Sequence, residues 1–222
     1  MLGYYDYTVW LTYGSLISAA MGIMASLDGE GHPYVGIFYL LVCGLFDAFD
    51  GRVARTKKDR TEAQKKFGIQ IDSLADLVAF GVLPGCIANA MICIKPETMR
   101  RYELACDAII YFYILAALIR LAYFNVMEEE RQKKEGGIRK YFEGLPVTSS
   151  ALIFPSVMFF HYILPKDLTT IFLLVMLATG IAFISKIKVP KPQLKGIMIM
   201  IGIGAIEFLI LGYTFFIARG GI

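Results

Sequence analysis

Long apolar runs separated by short polar or charged segments dominate the chain. They fall at Val9–Leu27, Tyr34–Asp50, Phe67–Ile94, Cys106–Val126, Val147–Leu164, Leu168–Ile184 and Ile197–Ile217. Each approaches the roughly 20 residues that a bilayer-spanning helix needs. The pattern predicts an all-α fold, a polytopic transmembrane helical bundle of six to eight spans. No repeat, low-complexity segment or separate soluble module stands out, so residues 1–222 read as a single integral-membrane domain. Tyr4, Tyr5, Tyr7 and Trp10 precede the first run, as an interfacial aromatic anchor or a short surface-lying amphipathic helix would require. Ala19, Ala20 and Gly22 give the first span a small face suited to close helix approach. Pro84 and Gly85 are expected to bend the third span midway.

Composition supports the same class. Of 222 residues, 57% are hydrophobic and 18% charged, with mean hydropathy +0.59, which excludes an ordinary soluble domain. The net charge of +3 is modest, and nucleic acid is not an expected partner. The distribution of charge says more: residues 52–66 hold seven Lys or Arg against two acids, and 186–195 hold four Lys and no acid. These loops and the mixed-charge segment Glu128–Glu143 alternate with short connections at Asp28–Pro33, Lys95–Glu103 and Pro165–Asp167. The positive-inside rule then predicts a multi-pass cell-membrane protein with its amino terminus and basic loops in the cytoplasm. With seven spans, the carboxyl terminus lies outside. The first run lacks a basic flank and a small-residue cleavage site, and reads as a retained span. Cys43, Cys86, Cys93 and Cys106 lack metal-ligand or CxxC spacing and read as reduced packing residues. His32 and His161 carry no partner pattern.

One stretch resists a packing explanation: residues 45–84, LFDAFDGRVARTKKDRTEAQKKFGIQIDSLADLVAFGVLP. Helical neighbours three or four apart share a face, so Asp47, Asp50, Gly51 and Ala54 form one stripe at the end of the second run. Gly68, Asp72 and Asp76 form another at the start of the third. Two adjoining antiparallel helices would bring the four aspartates together beside residues with almost no side chain. Asp47 and Asp50 alone suit a water-facing helix end, and Asp72 a first-turn acid favoured by the helix dipole. Asp76 within an apolar span is harder to dismiss, because intramembrane acids are costly and usually functional.

Crowded carboxylates at a low-dielectric boundary repel one another and lose hydration. Divalent cations resolve this, and all-oxygen ligation suits two Mg²⁺ or Mn²⁺ ions, with Ca²⁺ a possible stand-in in a crystal. Two such ions roughly 3.5–4 Å apart form the clamp used for displacement at phosphorus. Asp76, the deepest carboxylate, is the expected proton acceptor from the attacking hydroxyl.

Asp47, Asp50, Gly51, Ala54 and Arg55, followed by Gly68, Asp72 and Asp76, resemble the signature of the CDP-alcohol phosphotransferase family, D-x-x-D-G-x-x-A-R then G-x-x-x-D-x-x-x-D. The spacer from Arg55 to Gly68 is longer than the usual one, and its extra residues fall in the basic loop. FGIQIDSLADLVAFGVLP resembles the form found in the serine-using integral-membrane branch. So does a second block of Arg120-Leu121-Ala122, Phe124-Asn125, Tyr141-Phe142 and Gly144-Leu145-Pro146.

The resemblance implies transfer of a phosphatidyl group from CDP-diacylglycerol to the hydroxyl of L-serine, with release of CMP. It implies metal ligation by Asp47, Asp50, Asp72 and Asp76, with Asp76 also the catalytic base. It further implies a CDP-binding set of Asp47, Asp50, Gly51, Ala54, Arg55, Gly68 and Asp72. Membrane lipids and a homodimeric partner are expected by the same likeness. A zwitterionic acceptor needs a cation and a hydrogen-bonding partner, for which residues 119–148 offer Arg120, Asn125, Lys133 and Arg139. Two alternatives remain: the same chemistry with glycerol 3-phosphate or an inositol phosphate as acceptor, and an ion-coupled transporter.

Overall fold

The computed structural model describes residues 3–29, 31–94, 102–134, 141–163, 167–190 and Leu209. A 3-10 turn, Tyr7–Val9, leads into α1 (Trp10–Leu27), and α2 (Pro33–Thr56) follows after a short connection. Pro33 opens α2, where the missing N–H costs nothing because first-turn donors have no intrahelical acceptor. α3 (Glu62–Asp76) starts from a capping box: the Thr61 side chain accepts from Gln64 N–H while the Gln64 side chain accepts from Thr61 N–H. A π-helical turn, Leu77–Val82, joins α3 to α4 (Leu83–Ile94), and α5 (Glu103–Lys134) is the longest element described. β1 (Tyr141–Glu143), α6 (Ser150–Ile163), α7 (Thr169–Ile184) and β2 (Lys188–Pro190) complete the order.

The fold is all-α, as the apolar pattern requires. Segments Tyr7–Leu27, Pro33–Thr56, Glu62–Ile94 and Glu103–Glu130 are long and apolar enough to cross a membrane, and Val147–Phe160 and Thr169–Ile184 are shorter apolar helices. These six match the first six apolar runs. The seventh, Ile197–Ile217, lies outside the described residues apart from Leu209.

Small residues set how closely the first two helices pack. Ser15, Ser18, Ala19, Gly22 and Ser26 are buried along one side of α1, whereas Ala20, expected on that face, is exposed. A Cβ at Gly36 would collide with the Ser26 hydroxyl and lie 2.7 Å from Ile87 Cγ1, so α2 can approach α1 and α4 only with glycine there. At the other end of the core, fully buried Tyr113 of α5 meets Phe154 of α6 and Phe183 of α7, with ring centroids 5.6 and 5.5 Å away. Phe154 in turn packs on Phe172 at 4.9 Å.

The expected bend near Pro84 takes the form of the π turn just ahead of it. In a regular helix the Phe80 carbonyl would accept from residue 84, but proline has no N–H. Tyr113 Oη donates to this carbonyl at 2.6 Å, so the break is satisfied from α5, while the Ser150 hydroxyl has Val147 O as its nearer acceptor.

The segment expected to turn into the fifth span contains a short ribbon. β1 pairs antiparallel with β2, Tyr141 opposite Pro190 and Glu143 opposite Lys188. Gly144 follows at φ +77°, its N–H donating to Ile187 O at 2.7 Å, and a Cβ there would lie 2.7 Å from Phe183 O. Three-residue strands carry too little alternation to be read from sequence.

The amino-terminal tyrosines form no separate amphipathic helix among the described residues. Tyr4 packs edge-on against Phe67 with centroids 5.5 Å apart, and Tyr7 Oη lies 3.1 Å from Thr56 Oγ1. Lys57 Nζ meets Asp6 Oδ2 at 2.9 Å. The segment is thereby tied across the α2–α3 connection.

Candidate active site

α2 and α3 are consecutive, and they meet through their carboxylates rather than by close backbone packing. The two aspartate stripes then face each other. Asp47, Asp50 and Asp72 each offer a carboxylate oxygen, and the three oxygens lie within 4.8 Å of one another. Asp50 is 9% exposed and comes within hydrogen-bonding contact of Asp72. Carboxylates this close need a proton or a cation between them. Asp76 is the last residue of α3, directly before the π turn, and lies within electrostatic reach of the other three.

A cavity of about 650 Å³ opens beside the cluster. Asp50, Asp72 and Asp76 line it, together with Gly51, Ala54, Arg55 and Gly68, while Asp47 joins the carboxylate cluster without lining the cavity. Among the described residues, a Cβ at Gly51 would meet only Arg55 Nη1 at 3.6 Å and Nη2 at 3.9 Å, so their packing does not demand glycine there. Gly68 differs, because a Cβ there would collide with the guanidinium of Arg60.

Of the residues expected to meet the acceptor, Asn125 lines the cavity and its Nδ2 donates to Ser73 Oγ at 2.8 Å, joining α5 to the residue after Asp72. Arg120 is 5% exposed and does not line the cavity. Its Nε donates to Leu145 O at 3.1 Å and Nη2 to Gly144 O at 3.5 Å, and the guanidinium lies 5.4 Å from the Phe124 ring centroid. Arg120 thus braces the turn into α6. Lys133 falls in the last turn of α5, where its side chain is not described, and Arg139 lies outside the described residues.

Sequence reasoning missed several lining residues. Thr8 and Thr12 bring the start of α1 into the wall, and Arg60, Ser73 and Glu129 contribute from the connection, α3 and α5. Thr8 is held by Asp6, which accepts its N–H at 2.9 Å and also its hydroxyl. The hydroxyl bond from Thr8, and then Lys57, hold the Asp6 carboxyl down at about 2. The Asp6-x-Thr8 spacing was a legible turn-capping signal, but its relation to residues fifty positions on was not.

The donor set is chemically consistent. Three carboxylates, with no nitrogen or sulfur donor among them, fit a hard divalent cation.

A family model described as CDP-alcohol phosphatidyltransferase matches residues 8–184. The chain is similar to a CDP-diacylglycerol–serine O-phosphatidyltransferase of Saccharomyces cerevisiae, 34% identical over 208 residues, 84% of this chain and 70% of that protein. A protein of the same description from Helicobacter pylori is 29% identical over 178 residues, covering 78% and 68%. An archaetidylserine synthase of Methanothermobacter thermautotrophicus is 29% identical over 180 residues, covering 80% and 67%.

Proposed function

The chain belongs to the CDP-alcohol phosphatidyltransferase family, and on that premise we propose that it moves the phosphatidyl group of CDP-diacylglycerol onto the hydroxyl of L-serine. Phosphatidylserine and CMP are the products. The observation that carries the reading is the convergence of Asp47, Asp50 and Asp72 within 4.8 Å, against a cavity bordered by the small residues Gly51 and Ala54.

Asp47, Asp50 and Asp72 would hold two divalent cations, Mg²⁺ or Mn²⁺, with Asp76 adding ligation. When bound, such ions neutralise the diphosphate and polarise its phosphoryl oxygens. Gly51 and Ala54 leave the helix backbone open to the cytidine, and Arg55 and Gly68 border the same face. Asp76 accepts the proton of the serine hydroxyl as its oxygen bonds to the lipid-side phosphorus. The bond from that phosphorus to the oxygen of CMP breaks, and CMP departs with the electron pair. Catalysis of this kind rests on positioning and charge neutralisation, with little covalent work for the protein.

Asn125 is the acceptor-side group in the cavity, supported by its bond to Ser73. Arg120 serves the acceptor region through the Gly144–Pro146 turn it braces, with Lys133 and Arg139 further along residues 119–148. The whole chain acts as one membrane-embedded catalytic domain and works as a homodimer among membrane lipids. The basic loops support an orientation in which the amino terminus and active site face the cytoplasm of the cell membrane.

The test is CMP release by purified protein in detergent with CDP-diacylglycerol, Mg²⁺ or Mn²⁺, and one acceptor at a time. Serine-dependent release is the expected result. Release with glycerol 3-phosphate or an inositol phosphate but not with serine would transfer the acceptor assignment to that alcohol.

A further inference from the structure

Arg60 differs from three neighbouring cations that are paired within the protein. Lys57 is paired with Asp6 at 2.9 Å, Lys65 with Glu62 at 2.8 Å, and Lys66 reaches Glu129 at 4.0 Å. Arg60 lines the same cavity as Asp50, Asp72 and Asp76 yet makes no ion pair among the described residues. Its Nη1 donates to Ala54 O at 3.4 Å and its Nη2 to Gln64 O at 3.2 Å, anchoring it to the end of α2 and the first turn of α3. Its Nε is buried and has no hydrogen-bond partner among the described residues. Buried donors are rarely left unpaired, and this one belongs to a side chain that lines the cavity.

The position is built rather than accidental. The guanidinium rests against Gly68, where a Cβ would collide with Nη2. The small residue at 68 therefore admits a flat cationic group from the protein itself. A planar guanidinium with spare donors matches the oxygens of a phosphate or carboxylate better than a lysine would.

We propose that Arg60, which lies outside the eight signature positions, is an oxyanion ligand of the substrate cavity and determines affinity for one of the two substrates. The oxyanion is either the diphosphate of the nucleotide lipid or the carboxylate of the amino-acid acceptor. The inference rests on the phosphatidyl-transfer reading, and its test separates the two.

Full-length wild type, Arg60→Gln and Arg60→Lys are compared in detergent for the KM of CDP-diacylglycerol, the KM of L-serine, direct binding of CDP, and thermal midpoint. Loss of a charge-assisted hydrogen bond weakens binding roughly 10- to 100-fold. The diphosphate case predicts that Arg60→Gln raises the CDP-diacylglycerol KM and weakens CDP binding by that factor at unchanged serine KM. The carboxylate case predicts the reverse. In both, Arg60→Lys is intermediate, and a fall in midpoint reports only the lost bonds to Ala54 O and Gln64 O. Unchanged affinities overturn the inference, whether or not the midpoint falls. A drop in midpoint alone would make Arg60 a brace of the connection only. A wild type that releases no CMP removes the phosphatidyl-transfer reading, and CDP binding by the variants then decides on Arg60 alone.

Discussion

Gly51→Ala separates a glycine kept for a ligand from one kept for packing. Gly51 lies inside α2, where replacing glycine by alanine favours the helix by about 0.8–1.0 kcal/mol. No described residue opposes that gain, because among them the new Cβ would meet only Arg55 Nη1 at 3.6 Å and Nη2 at 3.9 Å, ordinary contacts at the end of a flexible side chain. The free protein is therefore expected to unfold at the wild-type midpoint or slightly above it. The bound state fares differently, since the methyl group enters the space the nucleotide uses. Overpacking of a close contact costs about 1–3 kcal/mol, which lowers kcat/KM roughly 5- to 150-fold. Gly36→Ala is the control: its Cβ would collide with Ser26 and lie 2.7 Å from Ile87 Cγ1, so the thermal midpoint should fall. Thermal unfolding in detergent paired with CMP-release kinetics gives both readouts on one preparation. A Gly51→Ala protein that unfolds early, or that keeps full kcat/KM, refutes the assignment of that face to the nucleotide.

Three further outcomes are expected. Asp76→Asn keeps CDP binding but loses turnover, whereas Asp47→Ala weakens the metal-dependent binding itself; near-normal turnover in Asp76→Asn would remove Asp76 as the base. Tyr113→Phe costs about 0.5–1.5 kcal/mol, because it removes the hydroxyl that satisfies the buried Phe80 carbonyl; an unchanged unfolding free energy would show that the π turn is held otherwise. Asp6 titrates in the folded protein at about 2, below its unfolded value, so its tether is fully present above about pH 4 and is lost as pH falls through 2. Pepsin cleavage ahead of Trp10 should accordingly rise across that window in wild type and be high throughout in Asp6→Asn; identical profiles would contradict the tether.

The parts legible in sequence were those with local spacing. Helical periodicity put Asp47 with Asp50 and Gly68 with Asp72 on single faces, and the short connection implied that the two faces meet. Apolar run length gave the six described hydrophobic segments. What escaped depends on partners far apart in the chain. Arg120 looked like a cation at a span end, but its acceptors are carbonyls at 144 and 145, across a fold that no local pattern encodes. Ser73 and Asn125 pair over 52 residues, and Asp6 and Lys57 over 51. Pro84 announced a disturbed helix, but the partner of the Phe80 carbonyl, Tyr113, lies 33 residues on. Arg60 read as one charge of the basic loop until the fold laid it against Gly68.

In the proposed mechanism, side chains from α2 and α3 jointly hold divalent metal. Mn²⁺ titration of the purified protein followed by electron paramagnetic resonance tests it directly, with Asp47→Ala, Asp50→Ala and Asp72→Ala alongside wild type. Bound Mn²⁺ in wild type, and its loss in variants from either helix, is the predicted result. Mn²⁺ bound equally well by wild type and all three variants would contradict the account.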